Sequence, residues 1–240
     1  MSNVSRKIVS RDEWLSARKA FLEKEKEHTR ASDALAAERR NLPMVRVDKE
    51  YTFKGPGDTT HTLSDLFGDS DQLIVYHFMF KPEDNEGCRG CCHVGESLPD
   101  PRHLQHKSTS FACVSRASAD KLDKFKKRAG WSWPWYSSGD SDFNYDFFAT
   151  TDKSKGPDLL NFRTKDEVEA KGQKWWEGDV PGYSVFLKQD GEIYHTYSTF
   201  ARGGETVLTT LMMLDMTPLG RNLDKYGPAE FKLKDEYASA

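Results

Sequence analysis

The sequence predicts an α/β fold: three layers around a central mixed sheet over residues 45–240, preceded by an N-terminal helical arm over residues 1–44. Three observations carry this. The continuous apolar runs at 73–80 and 111–115 have strand length, and each is followed by helix-forming sequence, the order of a covered parallel sheet. The strand-like segments 183–187 and 192–200 are joined by Gln189-Asp190-Gly191-Glu192, a hairpin turn, so an antiparallel pair joins the parallel strands. Ser10-Arg11-Asp12-Glu13 is a capping box that opens a long charged helix.

That helix carries Trp14, Leu15, Ala17, Phe21 and Leu22 and continues toward Leu35 and Ala36 before Leu42-Pro43 stops it. Only a narrow stripe is apolar, so the arm is expected to pack on a neighbour, either the domain or a second subunit, and the second case is a homodimer through the arm. Val45-Arg46-Val47 and Tyr51-Thr52-Phe53 alternate as strands do. Gly55-Pro56-Gly57-Asp58 turns into the Thr60–Leu63 segment, and Ser64 to Phe67 makes a short helical turn ending at Gly68. Short helical pieces are expected from about Arg89 and again through Arg102 to His106, because Pro99 and Pro101 interrupt the segment. Ser118 caps a helix that ends at Gly130. Residues 151–174 read as an irregular polar insertion. Gly203-Gly204 precedes a helix from Glu205 to about Met213, and a polar tail wraps the surface from Pro218 on.

Composition narrows the function. A chain of 240 residues with formal net charge −3 offers no electrostatic footprint for nucleic acid. It has no apolar run long enough for a membrane span. The start, from Met1 to Lys7, has no apolar core of a secretory leader. Of four cysteines, three crowd into positions 88–92, which is no disulfide framework, so a reducing, cytoplasmic setting is expected.

The chemistry concentrates in Gly87-Cys88-Arg89-Gly90-Cys91-Cys92-His93. A Cys-x-x-Cys after a buried strand, at the start of a helix, is the layout of a redox dithiol. A thiolate at a helix N-terminus is stabilised by unpaired N–H groups and the dipole. Cys88 is then the attacking thiol and Cys91, one turn on, the resolving thiol, with Arg89 adding positive charge. The same residues also read as soft metal ligands. Cys88, Cys91, Cys92 and His93 are close in sequence, and His77 and His195 can join them in space, which makes copper the metal to consider. The bland alternatives stay open: small buried cysteines, and a hydrogen-bonded core histidine at position 77. Trp131, Trp133, Trp135 and Tyr145 belong to the densest aromatic stretch, which is either core or the wall of a small-molecule pocket. Tyr197 and Arg202 are candidates for a general acid and an anion anchor.

Several blocks resemble the DUF899 family of thioredoxin-like proteins. They are Ser10 to Trp14, Leu73 to Phe80, Ser141 to Phe147, His195 to Gly203, Asp215 to Arg221, and Asp235-Glu236-Tyr237. The resemblance spans nearly the whole chain and implies a thioredoxin-like fold with a dithiol oxidoreductase role. Relatives read like Cys-Pro-Ser-Cys-Ser-Phe-Trp-Ala-Asp. Here the run Cys88 to Glu96 keeps both cysteines, loses the proline, and gains Cys92 and His93. The fold also implies a proline opposite the motif, in the cis form and just before an antiparallel strand, and Pro181 stands at that position. The segment 51–80 is similar to the start of a peroxiredoxin, yet the Pro-x-x-x-Thr-x-x-Cys of a peroxidatic site is absent.

Overall fold

Ser10 opens the first helix by reciprocal bonding. Its Oγ accepts the Glu13 N–H at 3.3 Å, and Glu13 Oε2 accepts the Ser10 N–H at 3.0 Å. Helix α1 (Arg11–Arg40) follows in the computed structural model, which describes residues 6–224 and 227–237. Residues 1–5, on which most of the leader expectation rests, lie outside the described residues. Asp12 and Glu13 in the first turn and Arg39 and Arg40 in the last complement the helix dipole. Trp14, Phe21 and Leu35 are exposed along it. The chain divides into two compact units, the break falling between Pro43 and Met44.

The second unit is built on an eight-stranded sheet. Its strands in chain order are β1 (Val45–Arg46), β2 (Thr52–Lys54), β3 (Thr60–Thr62) and β4 (Gln72–His77). Helices α2 (Arg89–Ser97) and α3 (Pro101–Gln105) lead to β5 (Thr109–Ser115), and α4 (Ala119–Ala129) leads to β6 (Trp135–Ser137). A side excursion holds α5 (Phe143–Asp146), β7 (Thr150–Thr151), α6 (Lys165–Glu169) and β8 (Gly178–Asp179). The hairpin β9 (Gly182–Gln189) and β10 (Glu192–Phe200) precedes α7 (Thr209–Asp215). The sheet order is β1-β10-β9-β4-β5-β6-β2-β3. At its centre β4 runs parallel to β5 and antiparallel to β9. A β-α-β unit thus lies beside a β-β-α unit with the hairpin against the first strand, which is the thioredoxin-like arrangement.

Alternation along β4 explains the unbroken apolar run. Leu73 and Val75 enter one core with Phe143, Phe147 and Phe186. Tyr76 and Phe78 enter the other, with Cys91, Leu122 and Leu211 from α2, α4 and α7. Both faces are covered, so both sets of side chains are apolar. The hairpin turns at Asp190 (φ 54°) and Gly191 (φ 81°), the two left-handed positions that an Asp-Gly turn supplies.

Three expectations are corrected. Residues 151–174 are less irregular than their polarity implies: Thr164 and Glu167 form a capping box for α6. Their loop is also tied back where β7 pairs with β8. The helix after Gly203-Gly204 is split. A 3-10 segment covers Ala201–Val207, closed by Leu208 N–H donating to Glu205 O at 3.0 Å, and α7 begins only at Thr209. The tail is not merely a surface wrap, since Leu233 is 2% exposed in the main core.

Candidate active site

After β4 the chain stays buried through Phe78 and Phe80, then loops out. The Cys88 N–H donates to Met79 O at 3.0 Å and returns the loop to the strand end. Cys88 is the N-cap of α2, so its side chain sits where the first helical N–H groups are unpaired. Hydrogen bonding from Cys91 is the main force that pulls the Cys88 thiol down to about 6, helped by the backbone N–H groups of Cys91 and Gly90 and opposed by burial.

Cys91 behaves in the opposite way. It is 1% exposed, and burial, followed by its bond to Cys88, pushes its thiol well above the ordinary range. The Met79 N–H, 3.4 Å from its Sγ, and the Tyr76 hydroxyl work against that rise. The two thiols are therefore pulled in opposite directions, Cys88 down and Cys91 up. Burial drives Cys92 to about 12, and its thiol is 3.7 Å from Gly87 O. All four cysteines are free thiols. Arg89 is engaged elsewhere, by Glu236 and by Glu86 at 3.6 Å, so the expected help from its charge is largely cancelled.

Cys88 and Cys91 open onto a cavity of about 280 Å³. Pro181 and Gly182 line it from the head of β9, as do Tyr76, Tyr183 and Leu208. Pro181 therefore stands at the dithiol, but its peptide is trans: there is no cis bond among the described residues. Trans is the ordinary X–Pro state, and the chain reaches Pro181 extended, with the Val180 N–H donating to Ala149 O at 2.9 Å. Gly182 is required by close approach, because a Cβ there would lie 2.3 Å from Phe200 Cδ1.

Of the six expected substrate contacts, only Arg202 lines the cavity, and Glu205 holds it at 3.3 Å. Trp131, Trp133 and Trp135 are core. Their rings pack on one another with centroids 4.8 and 5.3 Å apart for successive pairs, and Trp133 Nε1 donates to Gly95 O at 3.2 Å. Burial of three indoles under α2 outweighs the pocket alternative. Tyr145 is buried on α5 with Lys155 Nζ 5.2 Å from its ring centre. Tyr197 lies on β10 opposite Val185.

The candidate metal ligands separate. His77 and His195 belong to a buried chain on the far face of the sheet. His77 Nε2 is 2.8 Å from Ser184 Oγ, Ser184 Oγ is 2.8 Å from Ser198 Oγ, and His195 Nε2 is 2.7 Å from Ser198 Oγ. Burial lowers His77 to about 3, with His195 adding to the effect. His93 stacks on Phe231 at 4.0 Å. Among the described residues no three His, Cys, Asp or Glu groups converge to hold a metal ion.

Sequence reading missed Tyr76, Tyr183, Leu208 and the tail residues Pro228 and Ala229, all of which line the cavity. Tyr76 had a signal: it shares its strand face with Phe78, directly before the cysteine loop. The tail had none.

A dithiol at the start of the helix in a β-α-β unit, facing the head of an antiparallel strand, defines a thioredoxin-fold protein with a Cys-x-x-Cys site. The profile of the family described as "Bacterial protein of unknown function (DUF899)" matches residues 3–237, and the chain belongs to that family. Among solved structures it is similar to a peroxiredoxin Q from Xanthomonas campestris at 18% identity, covering 72% of this chain and 97% of that one, with a TM-score of 0.45. It is also similar to a PrxQ mutant from Xylella fastidiosa at 17% identity, covering 72% and 94%, with a TM-score of 0.42. A third is Peroxidoxin BcpB from Mycobacterium tuberculosis at 12% identity, covering 72% and 97%, with a TM-score of 0.43. No curated protein matches the sequence. Among the described residues no helix is long and apolar enough to cross a membrane.

Proposed function

We propose that this protein is a thiol–disulfide oxidoreductase in which Cys88 attacks and Cys91 resolves. The observation that carries the proposal is the placement of Cys88: N-cap of α2, open to a cavity, with the Cys91 thiol donating to it from below. A thiol with a midpoint near 6 is about nine-tenths ionised at pH 7 and attacks a disulfide sulfur without a separate base. Cys91, held protonated, waits until Cys88 is in a mixed disulfide. It then gives up its proton, with the Tyr76 hydroxyl and Met79 N–H supporting the sulfur as charge develops. Mass spectrometry of alkylated protein before and after mild oxidant tests this. A Cys88–Cys91 bond that forms and is reversed by a dithiol is expected; both thiols still alkylated after oxidant sinks the proposal.

A reducing, cytoplasmic setting accompanies it, supported by three of the four cysteines crowding into positions 88–92 rather than spreading, and by all four being free thiols. A homodimer through α1 is a separate proposal, supported by the exposed Trp14, Phe21 and Leu35. Native mass should fall from dimer to monomer when residues 1–40 are removed. A full-length monomer refutes it.

A further inference from the structure

Residues 227–237 are anchored across α2 at three points. Leu233 is buried in the cluster that holds Cys91 and Cys92. Phe231 stacks on His93 with planes 13° apart. Arg89 and Arg128 hold Glu236, and Arg128 holds Asp235 at 3.0 Å. Between these anchors and the start of the segment, the backbone at Pro228 and Ala229 crosses Gly90, which lies between the two thiols. A Cβ on Gly90 would sit 3.6 Å from Ala229 N. The 3-10 turn Ala201–Val207 adds Arg202 and Glu205 to the cavity wall.

Cys88 therefore opens onto a cleft, open to solvent on one side and walled in part by Pro228 and Ala229, and not onto a bare face. A disulfide in a folded protein arrives with chain on both sides of each sulfur. That chain needs a groove beside the attacking thiol, and Pro228 and Ala229 occupy this ground. A small molecule needs only volume. A dry apolar cavity of about 150 Å³ holds benzene, so the space here admits a body of roughly one to two aromatic rings. The walls are dominated by carbon, from Tyr76, Pro181, Tyr183 and Leu208. The wall charges are balanced, because Glu205 takes Arg202 at 3.3 Å, while Arg221, which also reaches Glu205, is held by Asp215 at 2.8 Å. No unmatched charge calls for an ionic substrate there.

We infer that the substrate of this site is a small, neutral, apolar disulfide, and that the C-terminal tail keeps protein disulfides from Cys88. The inference rests on the dithiol reading above. The Cys88 thiolate attacks one sulfur of R–S–S–R, making a Cys88–S–S–R bond and releasing RS⁻. Cys91 then attacks the Cys88 sulfur, the mixed disulfide breaks, and the second RS⁻ leaves with the Cys91 proton. Two electrons pass from the protein dithiol to the substrate, giving one protein disulfide and two small thiols once the first RS⁻ takes a proton from water.

The test is a single turnover of pre-reduced full-length protein with 2,2′-dipyridyl disulfide and, separately, with insulin. Each rate is divided by that of free dithiothreitol with the same disulfide, and products are located by mass spectrometry. The normalised rate should favour dipyridyl disulfide by about 100-fold or more. Combining Asp235→Ala with Glu236→Ala removes the ion pairs but keeps Leu233. It should raise the insulin rate about tenfold and leave the dipyridyl rate within about twofold. Deleting residues 227–240, with folding checked by circular dichroism, should raise the insulin rate further. Equal normalised rates in wild type overturn the inference while leaving the dithiol chemistry standing. So does an insulin rate that stays unchanged in the double variant. Failure of both disulfides to produce a Cys88–Cys91 bond overturns the dithiol reading and the inference with it.

Discussion

Replacing Cys91 by alanine removes the largest influence on Cys88 while leaving the helix N-terminus in place. The Cys91 thiol is the first cause of the lowered Cys88 midpoint, and the Cys91 and Gly90 N–H groups are the smaller ones. A hydrogen bond to a charged group is worth about 1.5–3 kcal/mol. At about 1.4 kcal/mol per pKa unit, its loss moves the midpoint up by about 1–2 units. Cys88 should then titrate near 7–8 instead of about 6. The assay is the pH dependence of iodoacetamide alkylation, with mass spectrometry assigning the adduct to Cys88. The midpoint is the readout, not the rate at one pH, because a more basic thiolate is also a better nucleophile and partly offsets its lower abundance. Cys91→Ser keeps a donor and should hold the midpoint within about half a unit of wild type, since a hydroxyl can make the same charge-assisted bond. A Cys91→Ala midpoint still near 6 would refute the assigned cause. A wild-type midpoint near the ordinary 8.5 would refute the ionised state itself.

Three further outcomes follow from buried groups. His77 has a folded midpoint of about 3, below its unfolded value of about 6.5, so the unfolded chain takes up the proton first as pH falls. Its contribution is whole above pH 6.5 and is lost toward pH 3. By pH 5 the loss is about 2 kcal/mol, and urea melts of wild type should show it while His77→Gln does not; parallel pH profiles would count against the assignment. Asp179 is 2% exposed, accepting from Arg116 Nε and from Thr150 Oγ1, each at 2.8 Å. Asp179→Ala leaves the guanidinium unpaired and should cost about 3 kcal/mol, and a loss under about 1 kcal/mol in urea melts would mean that the pair is solvated. Gly182→Ala drives a methyl into Phe200 and to 2.6 Å from Thr199 O. It should cost at least 1–3 kcal/mol in the same melts and slow Cys88 alkylation by crowding the cavity wall, and an unchanged midpoint would show that β9 and β10 can part there.

Local chemistry made most of the fold legible. The capping box at Ser10, the apolar run before the cysteines and the Asp190-Gly191 turn each fix a backbone conformation within a few residues, and each reappears in place. The dithiol was legible for the same reason: helix start and Cys-x-x-Cys are neighbours in sequence. The walls around it were not. Trp131, Trp133 and Trp135 carry the apolar surface of a pocket or of a core, and only packing against Gly95 and Phe78 decides for core. His77 and His195 look like ligands in a list of donors, yet strand alternation puts His77 on the face away from Tyr76 and so away from the thiols. That much was available from the period of two along β4. The tail was beyond such reasoning. Pro228 reaches Gly90 only after the chain has crossed the whole domain, and nothing local marks the meeting. The parts of the site that belong to one stretch of chain set its chemistry, whereas the parts brought from afar set what can enter. Sequence reading therefore reached the Cys-x-x-Cys pair first and named no particular substrate.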